Sequence, residues 1–173
     1  MNNQRESAAS VQTGTAFSGL MGILKIPLFF APFVFLHGCA MEGSHNAFVI
    51  VFLIPVPTLW PFVLVPLATL VAIILFVLRQ RSTGFARRTK FGLVMSALSL
   101  LGLVWTGWVM TSPYNSRGSS FGGDLLWGFW ALLACDMGMI GGYAHDLAQL
   151  SEHQTSHDES LEQINLSPIS HSK

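Results

Sequence analysis

The chain has 173 residues, 51% of them hydrophobic and only 10% charged, with nine Lys and Arg balanced by nine Asp and Glu. A soluble domain carries roughly a quarter charged residues, so these charges are too few to cover a water-facing surface of this size. Net neutrality, with no basic face outside one short loop, argues against a nucleic-acid partner.

Residues 1–15 are small and polar, with Arg5 and Glu6 their only charges, and read as a disordered tail. Residues 16–37 form the first expected span, interrupted by Lys25, Pro27 and Pro32. Prolines are tolerated in membrane helices because neighbouring groups can satisfy the freed carbonyls. Residues 38–46 (GCAMEGSHN) are polar, lack Lys and Arg, and read as external.

Residues 47–78 carry no charge at all. One straight helix of that length would run about 48 Å, well beyond a hydrocarbon core of about 30 Å. Pro55, Pro57, Pro61 and Pro66 break the stretch, so the second span is expected at residues 60–79. Residues 47–59 then form an interfacial or re-entrant segment at the outer face; one long kinked helix would give the same topology.

The loop 79–90 (RQRSTGFARRTK) holds five of the nine Lys and Arg, which marks it as cytoplasmic. The third span is expected at 91–110, an external turn-rich loop at 111–123, and the fourth span at 125–145. Residues 146–173 read as a polar cytoplasmic tail, mostly disordered. With the basic loop inside, Trp60, Trp105, Trp108, Trp127 and Trp130 all fall in one outer belt, the level that Trp prefers. The expected fold class is therefore all-α: a multi-pass transmembrane helical bundle of four spans in residues 16–145. It has a proline-broken outer apolar segment, sits in the cell (inner) membrane and keeps both termini cytoplasmic.

An ionisable side chain near mid-membrane is costly and needs a partner or a purpose. Asp136 lies nine residues before the inner end of span four, and Lys25 nine residues after the start of span one. At 1.5 Å per residue both sit about 14 Å from the inner face, which predicts an intramembrane Lys25–Asp136 pair. Snorkelling of Lys25 beside a neutral Asp136 is the alternative. Span four also carries Gly128, Ala131, Cys135, Gly138 and Gly142 at steps of three and four, hence on one helical face. Small residues let membrane helices approach closely, so this stripe is a packing surface for a helix of this chain or of another. Gly92, Ser96 and Ser99 on span three offer a matching groove.

The external segment places His37, Cys39, Met41 and His45, with Glu42, within nine residues. Imidazole, thiolate and thioether together suit copper, and imidazole with thiolate suits zinc, although H-x-C-x-M is no specific framework. Leu36-His-Gly-Cys39 after an apolar run also resembles a bacterial lipoprotein cleavage box. That resemblance implies a mature chain beginning at a lipidated Cys39 and keeping three spans. Gly118-Ser-Ser120-Phe-Gly122 matches G-x-S-x-G, but that motif needs a strained strand-to-helix turn and a histidine in reach. No catalytic set is expected, and no cofactor. These residues point to a non-enzymatic accessory or interaction subunit that packs through the fourth span against a membrane-protein partner or its own copies. A small oligomeric transporter or channel component using Asp136 is the alternative, and an external metal-handling protein the second.

Overall fold

The computed structural model describes residues 13–37, 43–53, 57–80, 84–111 and 122–166. Helix dominates. α1 (Thr13–Leu28) leads into strand β1 (Pro32–His37), followed by β2 (Gly43–Asn46) and the short helix α2 (Ala47–Leu53). A 3₁₀ turn (Pro57–Val63) then runs directly into α3 (Leu64–Val77). A second 3₁₀ turn (Leu78–Gln80) precedes α4 (Phe85–Thr111), and β3 (Gly122–Leu125) precedes α5 (Trp127–Leu166).

The four long helices form a closed ring in which α1 neighbours α3 and α5, and α4 neighbours the same two. Glycines report the approach. A methyl group on Gly14 would strike the Gly142 carbonyl oxygen, one on Gly92 would strike Tyr143 and Leu75, and one on Gly102 the Pro61 carbonyl oxygen. Gly19 meets Phe76 while Gly22 meets Ala72, so α1 and α3 run antiparallel, and successive long helices alternate in direction.

Three boundaries differ from the sequence expectation, each for a local reason. The first apolar run is not one helix, because α1 stops at Leu28. Pro32 has no N–H for the Leu28 carbonyl and disfavours helical backbone at Ala31. The chain closes through i+3 bonds from Phe30 N to Pro27 O and from Ala31 N to Leu28 O, both 3.1 Å. It then becomes β1, so a small sheet joins a chain that is otherwise mostly helical, as the all-α expectation had it. β1 is the central strand of a three-stranded antiparallel sheet of order β2-β1-β3, pairing Phe35 with both Ser44 and Asp124. Pro32 starts the strand, where its missing donor costs no ladder bond, and a bulge lies between Pro32 and Val34.

At the other end, α4 starts at Phe85, so the second half of the basic loop is helical and Gly84 supplies the turn with φ +74°. α5 runs on to Leu166, past the expected end near His145 and through much of the segment read as a disordered tail. No Gly or Pro stands between Gly142 and Pro168 to stop it. In the segment read as proline-broken, α2 ends at Leu53 and the chain resumes at Pro57 as a 3₁₀ turn. The Asn46 side chain caps α2 by accepting from Val49 N at 2.9 Å.

Apolar side chains pack in two clusters. One gathers Phe33, Val34, Ile50, Phe62, Leu103, Phe129 and Leu132 at the sheet end. Phe33 packs there tilted against Phe62 and edge-on to Phe129, with ring centroids 5.1 and 5.5 Å apart. The other holds Ala68, Ala72, Leu75, Met95, Met139 and Tyr143 at the opposite end.

The outer faces are apolar too. α3 and its preceding turn expose Trp60, Val63, Leu67, Leu70, Ile74 and Val77, while α4 exposes Phe91, Val94, Leu98, Leu101, Trp105 and Trp108. Trp60–Val77 and Phe85–Thr111 are each long and apolar enough to cross a membrane. Meanwhile Thr15, Ser18, Lys25, Ser96, Ser99, Thr106, Asp136 and Asp146 are buried. That distribution inverts the one water imposes on a soluble fold.

The glycine contacts set a first test. Gly142→Ala drives a methyl group into Ser18 and the Gly14 carbonyl and is expected to cost about 2 kcal/mol or more. Gly141→Ala meets nothing within 4 Å and is expected to stay within about 1 kcal/mol of the parent. Unfolding of both variants in mixed micelles measures the difference, and equal stabilities would refute the α1–α5 contact.

Candidate functional site

Between the two apolar clusters lies a polar layer to which each long helix contributes. On α5, Asp136 falls between Leu132 of one cluster and Met139 of the other. On α4, Ser99 falls between Leu103 and Met95, and on α3, Thr69 between Val65 and Ala72. Lys25 completes the layer from α1. Lys25 Nζ stands 2.7 Å from Asp136 Oδ1, with neither side chain exposed at all. Ser99 Oγ donates to Asp136 Oδ2 at 3.1 Å and receives Lys25 Nζ at 3.4 Å. Thr69 turns away, donating to its own helix at Val65 O, 2.9 Å. The arrangement is a closed triad on three helices, with the carboxylate held by an ammonium and a hydroxyl.

A second carboxylate escapes the sequence reading. Asp146 is wholly buried and accepts from Gly14 N at 2.8 Å and Thr15 N at 2.6 Å, with the Thr15 hydroxyl as a third donor. It thus caps the first turn of α1 from another helix, where the free amides and the helix dipole both favour an anion. A signal was available: Thr15 precedes Lys25 by ten positions and Asp146 follows Asp136 by ten. In an antiparallel helix pair, that symmetry makes one contact imply the other. Between them, Ser18 Oγ donates to Met139 O at 2.9 Å. The Tyr143 hydroxyl is buried in this half and has no hydrogen-bond partner among the described residues.

The small-residue stripe divides between roles. Gly128 rests on the Pro32 carbonyl and Gly142 meets Gly14 and Ser18, so these two face this chain's own β1 and α1, and Cys135 is buried. The groove expected on α4 receives other side chains, Tyr143 at Gly92 and Asp136 at Ser99. Ala131 and Gly138 are half-buried. A methyl group on Gly138 would meet Met21 and Phe17 at 3.3–3.5 Å, and one turn further on Gly141 is open. Thr13, Gly14, Phe17, Gly138, Gly141, Gly142 and His145 line an open groove of about 370 Å³.

Of the metal candidates, Cys39 and Met41 lie outside the described residues, as do the lipoprotein-like cysteine (the same Cys39) and Ser120 of the G-x-S-x-G match. His37 pairs its backbone with Gly122, and His45 lies opposite Val34. Among the described residues no group of three or more His, Cys, Asp or Glu could hold a metal ion. Comparison with protein-family models, curated proteins and solved structures finds no match.

Breaking a buried pair leaves an uncompensated charge, so Asp136→Asn is expected to cost roughly 3–5 kcal/mol. Replacing both partners at once, Lys25→Met with Asp136→Leu, is expected to restore most of that loss. Unfolding curves for the parent and these two variants in mixed micelles decide it. An Asp136→Asn variant as stable as the parent would show that the contact contributes nothing.

Proposed function

We propose that the chain is an integral membrane protein of four spans, with both termini cytoplasmic, acting as a non-enzymatic accessory subunit. It packs against another membrane helix through the inner half of α5. The membrane reading draws on the apolar outward faces around a polar interior. α1 has only 16 residues, about 24 Å, and its crossing is completed by the Phe29–Ala31 turn and by Phe33 and Val34. Non-helical backbone is acceptable at that depth because both of those side chains are fully buried in protein.

The observation that carries the interaction reading is the Gly138–Gly141 groove. Much of the stripe is spent inside the chain, but Gly141 presents bare backbone between Phe17 and His145. In lipid, where apolar contact alone drives no association, such close backbone approach is where helices gain packing energy. The rival reading, a small oligomeric transporter using Asp136, has less support. The Asp136 carboxylate is engaged by Lys25 and Ser99, and an ion would have to displace an ammonium 2.7 Å away.

Gly141→Leu fills the groove from the lipid side and leaves the Gly14–Gly142 contact intact. The variant is expected to keep the parent's unfolding midpoint while losing its partner protein or its self-association, read by cross-linking in native membranes. Retained association at parental yield would sink this reading. Asp136-dependent ion flux in proteoliposomes would replace it with the transporter.

A further inference from the structure

The two apolar faces of α3 and α4 end in the same way. On α4 the exposed stripe runs from Phe91 to Trp108, with Arg87 and Lys90 exposed at its foot. From Lys90 to Trp108 is about 27 Å at 1.5 Å per residue, close to the roughly 30 Å of a hydrocarbon core. On α3 the stripe from Trp60 to Val77 is followed at once by Arg79. Trp therefore marks one end of this wall and cations the other, one hydrocarbon thickness apart.

The foot is positive beyond what local structure needs. The first turns of a helix favour acids, yet α4 opens with no acid in its first turn and carries Arg87, Arg88 and Lys90 against the dipole. Two of the four cations here make contacts with neutral groups. Arg79 lies over the Phe76 ring, 4.5 Å from its centroid, and Arg88 Nη1 donates to Leu78 O at 3.2 Å. Among the described residues, no carboxylate pairs with Arg87 or Lys90.

We propose that the foot formed by Arg79, Arg87 and Lys90 binds the phosphate headgroup of an anionic phospholipid whose acyl chains lie along the α3–α4 wall. Charge complementarity and depth select this occupant together. The cations stand where phosphates stand, and the apolar stripe above them spans both leaflets, so its lower half lies beside the acyl chains of a lipid held at the foot. The inference rests on the membrane reading above and adds a lipid preference to it.

The test is native mass spectrometry of the full chain in mild detergent, equilibrated with phosphatidylglycerol or with phosphatidylcholine. Phosphatidylglycerol adducts are expected to exceed phosphatidylcholine adducts by about tenfold, and Arg87→Gln with Lys90→Gln to remove about that preference. The exchange Arg87→Lys with Lys90→Arg is expected to keep it. Equal retention of the two lipids, an unchanged preference in the Gln variant, or inorganic phosphate binding as well as the lipid would each overturn the proposal. A chain that stays monodisperse with no detergent at all would overturn the membrane reading instead.

Discussion

An ammonium and a carboxylate taken out of water each lose several kcal/mol of hydration, and their attraction repays this only when geometry and hydrogen bonding are good. Lys25 and Asp136 meet that condition with a contact of 2.7 Å and Ser99 on the second carboxylate oxygen. The interaction fixes register more than it adds stability. Sliding α1 by one turn, about 5.4 Å, would part the charges and leave both buried alone. The same slip would take Gly14 and Thr15 away from Asp146, a contact about ten residues from the ion pair on each helix. Two carboxylates on α5 thus hold α1 at two levels, and the backbone approach at Gly14 and Gly142 follows from that register.

The remaining packing is arranged around this layer. One apolar cluster fills the space toward the sheet and the other the space toward Asp146. Serine and threonine within them mostly return their hydroxyls to their own helix, as Ser96 does to Gly92 O and Thr106 to Gly102 O. Their polarity is thereby satisfied locally, whereas Lys25, Ser99 and Asp136 join three helices through their side chains.

How much of this was legible in the sequence depends on the range of the signal. The Lys25–Asp136 pair could be read because depth along a helix is simple arithmetic, and because isolated charges in apolar runs are few. Charge sign likewise located the basic foot. The sheet was hidden because Pro32–His37 (PFVFLH) is as apolar as the helix before it, and composition alone does not separate a buried strand from a buried helix. Pro32 was the clue that the run had to change conformation. Asp146 was hidden by its position, the first residue of a segment that looked like a solvated tail. The stripe on α5 was visible, but which side of it met this chain depends on helix rotation, set by Asp136 and Tyr143 turning inward.

The central claim is that these helices cross a bilayer with the ion pair at its middle. Impermeant maleimide labelling of single cysteines, in a chain carrying Cys39→Ser and Cys135→Ser, tests it most directly. Lys90→Cys should react only in inverted vesicles and Asp124→Cys only in right-side-out vesicles. Leu98→Cys should react in neither, although its side chain is exposed on the outer face of α4. Reaction of Leu98→Cys from the aqueous phase, or of positions 90 and 124 from the same side, would contradict the account.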